Sequence, residues 1–260
     1  APRRNLQLDS AQGVIYNVTR QSHDWPVIGV CREPAVLCAM PNQTFFNLPD
    51  EKRQQILQVA LDEFAENDFD NASISRIVAR AGIAKGSFYQ YFADKEDLYA
   101  YVLGLLAQTK TEFLSLDHPD PQHIGIFAYL RWTIEMGLTF ALAHPQLTQI
   151  GLRAINARKF PAAFDTQVRD ATLLFYQQLV DVGKQQGDIA PEIDSELAAV
   201  IFAAIMDQVG RHVMERAARA GLPIEQDGQA FLKHPEVEAL FSQTVNILEC
   251  GLGRRSTHAG

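Results

Sequence analysis

The stretch from Ser73 to Lys95, SISRIVARAGIAKGSFYQYFADK, constrains the fold of this chain more than any other. Ile74, Ile77, Val78 and Ala81 fall on one stripe of a short helix. Gly82 follows, the residue type that most readily lets a chain leave a helix through the left-handed region. Ile83 is apolar within the turn, which predicts a turn plugged into a core. In a second short helix Phe88 and Phe92 recur at i, i+4 and face inward. That leaves Lys85, Gly86, Ser87, Tyr89, Gln90 and Tyr91 on positions able to donate to, or rest against, phosphates and base edges. Two short helices, a glycine turn and a polar outward face are the parts of a helix-turn-helix.

The run Gly82-Ile83-Ala84-Lys85-Gly86-Ser87-Phe88-Tyr89-Gln90-Tyr91-Phe92, followed by Asp94-Lys95-Glu96-Asp97-Leu98, closely resembles the signature of TetR-family transcriptional regulators. The resemblance covers about fifty residues, from roughly Pro49 to Leu98. It implies an all-α fold: a three-helix DNA-binding head, then a helical bundle for ligand binding and dimerisation. Two residues depart from the pattern. Ala84 stands where the family usually has a Ser or Thr capping the recognition helix, a loss of about 1 kcal/mol. Gln90 stands where His is common.

Composition narrows the partners. The 260 residues are 47% hydrophobic and 21% charged, ordinary for a soluble globular protein. No run of about 20 uninterrupted apolar residues predicts a membrane span. The net charge of -8 argues against indiscriminate coating of nucleic acid. Residues 72–95 hold Arg76, Arg80, Lys85 and Lys95 against Asp94 alone, a net of +3 that leaves -11 for the rest. A small basic head on an acidic body suits a specific reader of DNA. Cys31, Cys38 and Cys250 show no metal-ligand spacing, which points to a reducing cytoplasm, no structural metal and no cofactor.

Along the chain, residues 1–44 read as a leader, with Met40 as a natural start and Arg3 and Arg4 as an alternative minor-groove arm. The head is assigned to 45–95, the body to 96–252 and a flexible tail to 253–260. Ile56, Ala60 and Phe64 give the first long helix, 50–67, its apolar face. Ser73 is placed to cap the second helix. A long helix from Asp94 to Leu116 belongs to both halves, the natural lever between them. Further helices are predicted over 122–143, 146–157, 161–186, 192–219 and 235–250.

Candidate DNA-contacting residues follow. Ser73 and Ser75 can offer hydroxyls and backbone N–H groups to a phosphate. Lys85, Tyr89, Tyr91 and Lys95 resemble the family's backbone-contacting positions, and Ala84 opens the same helix. Gly86, Ser87 and Gln90 face base edges, with Gln90 able to bond adenine twice. Phe127, Arg131, Trp132, Met136, Phe140, Phe164, Phe175 and Tyr176 are candidates for an effector pocket, with plain core as the competing reading. Arg131, His144 or Arg153 can meet an anionic head group there. Ile201, Ile205, Val209, Leu240, Phe241 and Leu248 are candidates for a homodimer interface built as a four-helix bundle; burial within one subunit is the alternative. No HExxH, GxSxG, P-loop or dinucleotide fingerprint supports an enzyme. The expectation is a dimeric repressor of a palindromic operator, released by a small apolar or amphipathic effector. A regulator working without a ligand, as an activator or under a partner's control, is the alternative.

Overall fold

The computed structural model describes residues 41–115, 118–157, 162–220 and 231–252. Arg3, Arg4, Cys31, Cys38 and the tail 253–260 lie outside the described residues. All described elements are helices: α1 (Gln43–Phe46), α2 (Asp50–Glu66), α3 (Ile74–Ala81), α4 (Lys85–Tyr91), α5 (Lys95–Ser115), α6 (Pro121–Ile124), α7 (Ile126–Ala143), α8 (Pro145–Ala157), α9 (Ala162–Gln186), α10 (Ser195–Arg219) and α11 (Pro235–Leu252).

Three apolar clusters hold the helices together. The first joins Phe45, Ile56, Phe64, Ile77, Phe88 and Phe92 to Leu98, Tyr99, Val102 and Leu103 of α5 and to Ile150 and Ala154 of α8. The second packs α7 on α9 and α10 around Tyr129, Leu130, Leu179 and Phe202. The third sets Ile134 and Leu138 of α7 against Val213 of α10 and Phe241 of α11. The long helix α5 therefore starts inside the N-terminal core, as its stripe predicts, and ends with Phe113 against Phe140 of the body.

Several boundaries differ from the expected ones. The leader is expected to run to residue 44, but residues 41–44 already lie against the reading head, where Asn42 N–H donates to Tyr91 O at 2.8 Å. The helix drawn over 122–143 is two helices. Gly125 adopts φ +83, which ends α6, and the Asp188 carboxylate accepts the Ile126 N–H at 2.9 Å to start α7 afresh. The stretch Ser195–Ala217 is, by length and composition, apolar enough to cross a membrane. In the fold it is a body helix that puts Ala198, Ala199, Phe202, Val213 and Ala217 into the core.

Candidate nucleic-acid interface

The interface is built on α2, which fixes the two shorter helices. On α2, Ile56, Ala60 and Phe64 point inward, and so does Glu63, only 1% exposed. Glu63 is the pin of the head. Its Oε1 accepts the backbone N–H of Ser73 at 2.8 Å, and its carboxylate receives Arg76 Nε at 2.9 Å and Nη2 at 2.5 Å. The Ser73 side chain makes no capping hydrogen bond. The expected serine cap is thus replaced by a carboxylate ten residues upstream, which serves one orphan N–H and faces the positive end of α3. Burial alone would raise the Glu63 pKa, but the hydrogen bonds from Arg76 and Ser73 and the Arg76 and Arg80 charges together hold it below the ordinary carboxylate range.

The turn then sets α4 across the head. Gly82 leaves α3 at φ +62, its left-handed conformation carried by a residue without Cβ. Ile83 N–H donates to Val78 O at 3.1 Å, Gly82 N–H to Ala79 O at 3.3 Å and Lys52 Nζ to Ala81 O at 2.8 Å, so three of the last four carbonyls of α3 are served. Ile83 packs on the first core cluster. Ala84 occupies the N-cap of α4 with no side-chain bond, as the missing hydroxyl requires. Phe88 and Phe92 are fully buried, their ring centroids 5.7 Å apart. These two rings decide which way α4 faces.

The opposite face is open. Ser75, Ala84, Lys85, Gly86 and Gln90 are exposed, and Tyr89 is 48% exposed with its ring edge-on to Phe88. Ser73, Ser87 and Tyr91 are half-buried, and the Tyr91 ring lies 6.0 Å from Phe45. Lys95 faces the loop before α3. Its ammonium donates to the carbonyls of Phe69 at 2.7 Å, Ala72 at 3.0 Å and Asp70 at 3.3 Å, and sits 4.5 Å from the Phe69 ring centre. With three carbonyls about it, the ammonium ties the start of α5 to the loop before α3. The expected excess of +3 is also smaller in effect. Arg76 pairs with Glu63, and Arg80 with Asp62 at 2.8 Å, both acids supplied by α2. The outward surface therefore offers one lysine, hydroxyls, an amide and a phenol, a chemistry for reading more than for charge neutralisation. Glu63 was legible in principle as an acid on the apolar stripe of α2, whereas Lys52, Asn42 and Thr44, which also serve this site, carry no such signal.

Comparison with known proteins places this architecture. The family described as "Bacterial regulatory proteins, tetR family" matches residues 56–102, and the "Tetracyclin repressor-like, C-terminal domain" matches residues 124–253. The chain belongs to the TetR family. A TetR family transcriptional regulator from Chloroflexus aurantiacus is 41% identical and superposes with a TM-score of 0.69, covering 83% of this chain and all of that one. The HTH-type transcriptional repressor BepR of Brucella suis is 26% identical over 170 residues, 60% of this chain and 77% of the relative. The regulator FadR from Bacillus subtilis, solved in complex with stearoyl-CoA, shares the fold at 18% identity and a TM-score of 0.52, covering 76% of this chain and 98% of that one.

In this TetR-family regulator the body candidates divide by helix face. Trp132 and Tyr129 lie on the α7 face that meets His118, with ring centroids at 5.2 and 5.5 Å, and the Tyr129 hydroxyl is 2.8 Å from His118 Nε2. Phe140, more than two turns along, meets Phe113 at 5.6 Å and His144 at 4.8 Å. Burial pulls the His144 pKa below its ordinary value, which favours the neutral ring. Met136 is half-buried, and Phe175 and Tyr176 are buried and edge-on to each other. Phe164 lies on α9, but its side chain is outside the described residues. Arg131 reaches across to the last helix. It projects to α11, where it pairs with Glu238 and bonds Ser242 at 3.0 Å, and its Nε also holds Glu135 at 2.8 Å. Those anions outdo the effect of burial and raise its pKa. Phe127 packs half-buried on the second cluster.

The interface candidates divide similarly. Phe241 and Leu248 are 0% and 3% exposed within one chain, inside the third and second clusters, so both belong to the subunit's own core. Ile201, Ile205, Val209 and Leu240 are half-buried. Beside them Leu197, Val200 and Ile247 are 59%, 47% and 68% exposed, an apolar face that the sequence reading had not singled out on α11. A groove of about 460 Å³ runs between α10 and α11, with Val209, His212, Leu240 and Thr244 among its walls.

Proposed function

We propose that this TetR-family regulator is a dimeric repressor that binds a near-palindromic operator and is released by a small apolar or amphipathic effector. The observation that carries the DNA half is the open face of α4, where Lys85, Gly86, Tyr89 and Gln90 stand exposed on a helix anchored by Phe88 and Phe92. Such a helix enters a major groove, with backbone contacts setting register and Gln90 reading an adenine edge. The apolar face of Leu197, Val200 and Ile247 supports pairing of α10 and α11 with a second copy. The aromatic pair of Phe113 and Phe140 and the separate group of Trp132 with His118, together with a stearoyl-CoA-bound relative in fold, support an effector with an apolar body.

Selection of duplexes from a random library by the full chain tests the DNA reading. Tyr89→Ala is expected to weaken binding to every sequence alike, and Gln90→Ala to relax preference at one base position by about 1–3 kcal/mol. Wild-type affinity in Tyr89→Ala would displace α4 from the DNA.

The effector half has its own test. Stearoyl-CoA, flat aromatic cations and free fatty acids are titrated into the protein by calorimetry, with and without the selected duplex. An effector that releases DNA must bind the free protein more tightly than the complex, by the factor with which it weakens DNA binding, and coupling of about 1–3 kcal/mol is typical. Equal affinity in both titrations would leave a regulator that works without that ligand.

A further inference from the structure

The recognition helix α4 has only seven residues, so a large share of its carbonyls lies in the terminal turn and lacks an intrahelical partner. The described structure supplies those partners from another element. Tyr91 O accepts the backbone N–H of Asn42 at 2.8 Å. Gln90 O accepts the Asn42 side-chain amide at 3.1 Å and also the Thr44 hydroxyl. Between these donors Phe45 drives a fully buried ring against the same end of the helix, with centroids 5.0 Å from Phe92 and 6.0 Å from Tyr91. The whole clasp, Asn42 to Phe46, precedes the residues that the family match covers.

We infer that Asn42 and Thr44 are positioning residues that determine DNA specificity, by holding the end of α4 so that Gln90 meets its base in one orientation. The inference rests on the DNA reading given above. Two physical effects support it. The last residues of so short a helix fray unless their carbonyls are bonded, and Gln90 is next to last. The carbonyls at a helix C-terminus also carry partial negative charge, and donors that quench it lessen repulsion from the phosphates beside them. Phe45 provides the packing, while Asn42 and Thr44 are exposed and provide the aim. Their removal leaves the core whole.

The experiment uses the full chain and the duplex that the wild type enriches from a random library. Thr44→Val removes the hydroxyl at constant shape, and Asn42→Ala removes the amide without adding charge. Each is expected to lower affinity for that duplex about 3- to 10-fold, the range for a lost hydrogen bond. Each should also flatten discrimination at the base position that Gln90→Ala flattens, with an unchanged melting temperature. Thr44→Ser is expected to restore both. Wild-type affinity and discrimination in both variants overturn the inference. So does an affinity loss spread over all sequences, with a lowered melting temperature and no rescue by Thr44→Ser. If Tyr89→Ala loses binding while Thr44→Val does not, the clasp fails and the DNA reading stands. If the wild type enriches no duplex, both fall.

Discussion

Glu63→Ala is expected to lose operator binding and to lower the melting temperature, because it removes the group that seats α3 on α2. The substitution deletes the acceptor for Ser73 N–H and for Nε and Nη2 of Arg76. Hydrogen bonds to a charged group contribute about 1.5–3 kcal/mol each, but Arg76 is half exposed and recovers water. A net loss of about 3 kcal/mol is therefore expected, or roughly 6–12 °C for a chain of this size. Acid should mimic the variant. The folded carboxyl is held below its ordinary value of 4.5, so its contribution is complete above the unfolded pKa and is lost as pH falls through the folded one. Thermal melts between about pH 6 and pH 3 test this: the wild type should lose stability on acidification more steeply than Glu63→Gln. Parallel curves would show that Glu63 does not hold the head.

Phe241→Asp and Val200→Asp should fail in different ways, although both residues lie on the last two helices, α11 and α10. Phe241 is fully buried among Ile134, Leu138 and Val213, so aspartate there loses the ring and buries a carboxylate. Ring loss alone costs about 3–5 kcal/mol, and the buried carboxylate adds to it, which together approach the total stability of a domain. The variant is expected to be unfolded or insoluble. Val200 is 47% exposed, so aspartate there should change subunit stability by only about 0.5 kcal/mol. In a dimer joined through α10 the same charge would be buried against its copy, and the protein should run as a folded monomer with weak operator binding. Light scattering with circular dichroism separates the outcomes. A dimeric, folded Val200→Asp would remove this face of α10 from the interface.

How much of this was legible in the sequence depended on the kind of pattern. The reading head is dense in local signals: Gly82 for the turn, Phe88 and Phe92 for the inner face, and Asp94, whose carboxylate accepts Asp97 N–H at 2.8 Å at the start of α5. Each acts over a few residues, where periodicity and capping chemistry hold. What escaped is long-range. The acceptor for Ser73 N–H comes from another helix, and Lys95 finds its carbonyls more than twenty residues upstream. The body escaped for a different reason. On α7, Leu, Ile, Phe and Tyr recur on every side, so no stripe tells which face meets α11 and which meets α5. Arg131 stands among apolar neighbours in the sequence, and nothing local tells that it pairs with Glu238. On α11, Leu240 and Phe241 are adjacent and both apolar, and packing alone decides that Phe241 turns in while Leu240 stays at the edge.

The first core cluster bears on how such a regulator changes its target. Phe64 touches Tyr99 at 4.9 Å, and Ile150 and Ala154 of the body close the same cluster that holds Phe88 and Phe92. A cut at residue 95 would split that cluster and strip the excised head of its floor. Exchange of whole heads between regulators of this build would thus have to carry the first turns of α5 and a matching α8 surface, or leave holes. The solvent side of α4 is under no such constraint, because Lys85, Gly86 and Gln90 contribute nothing to the interior. If α4 reads DNA as proposed, new operators would be reached with the least disruption by altering those few outward letters, one at a time, while the body stays as it is.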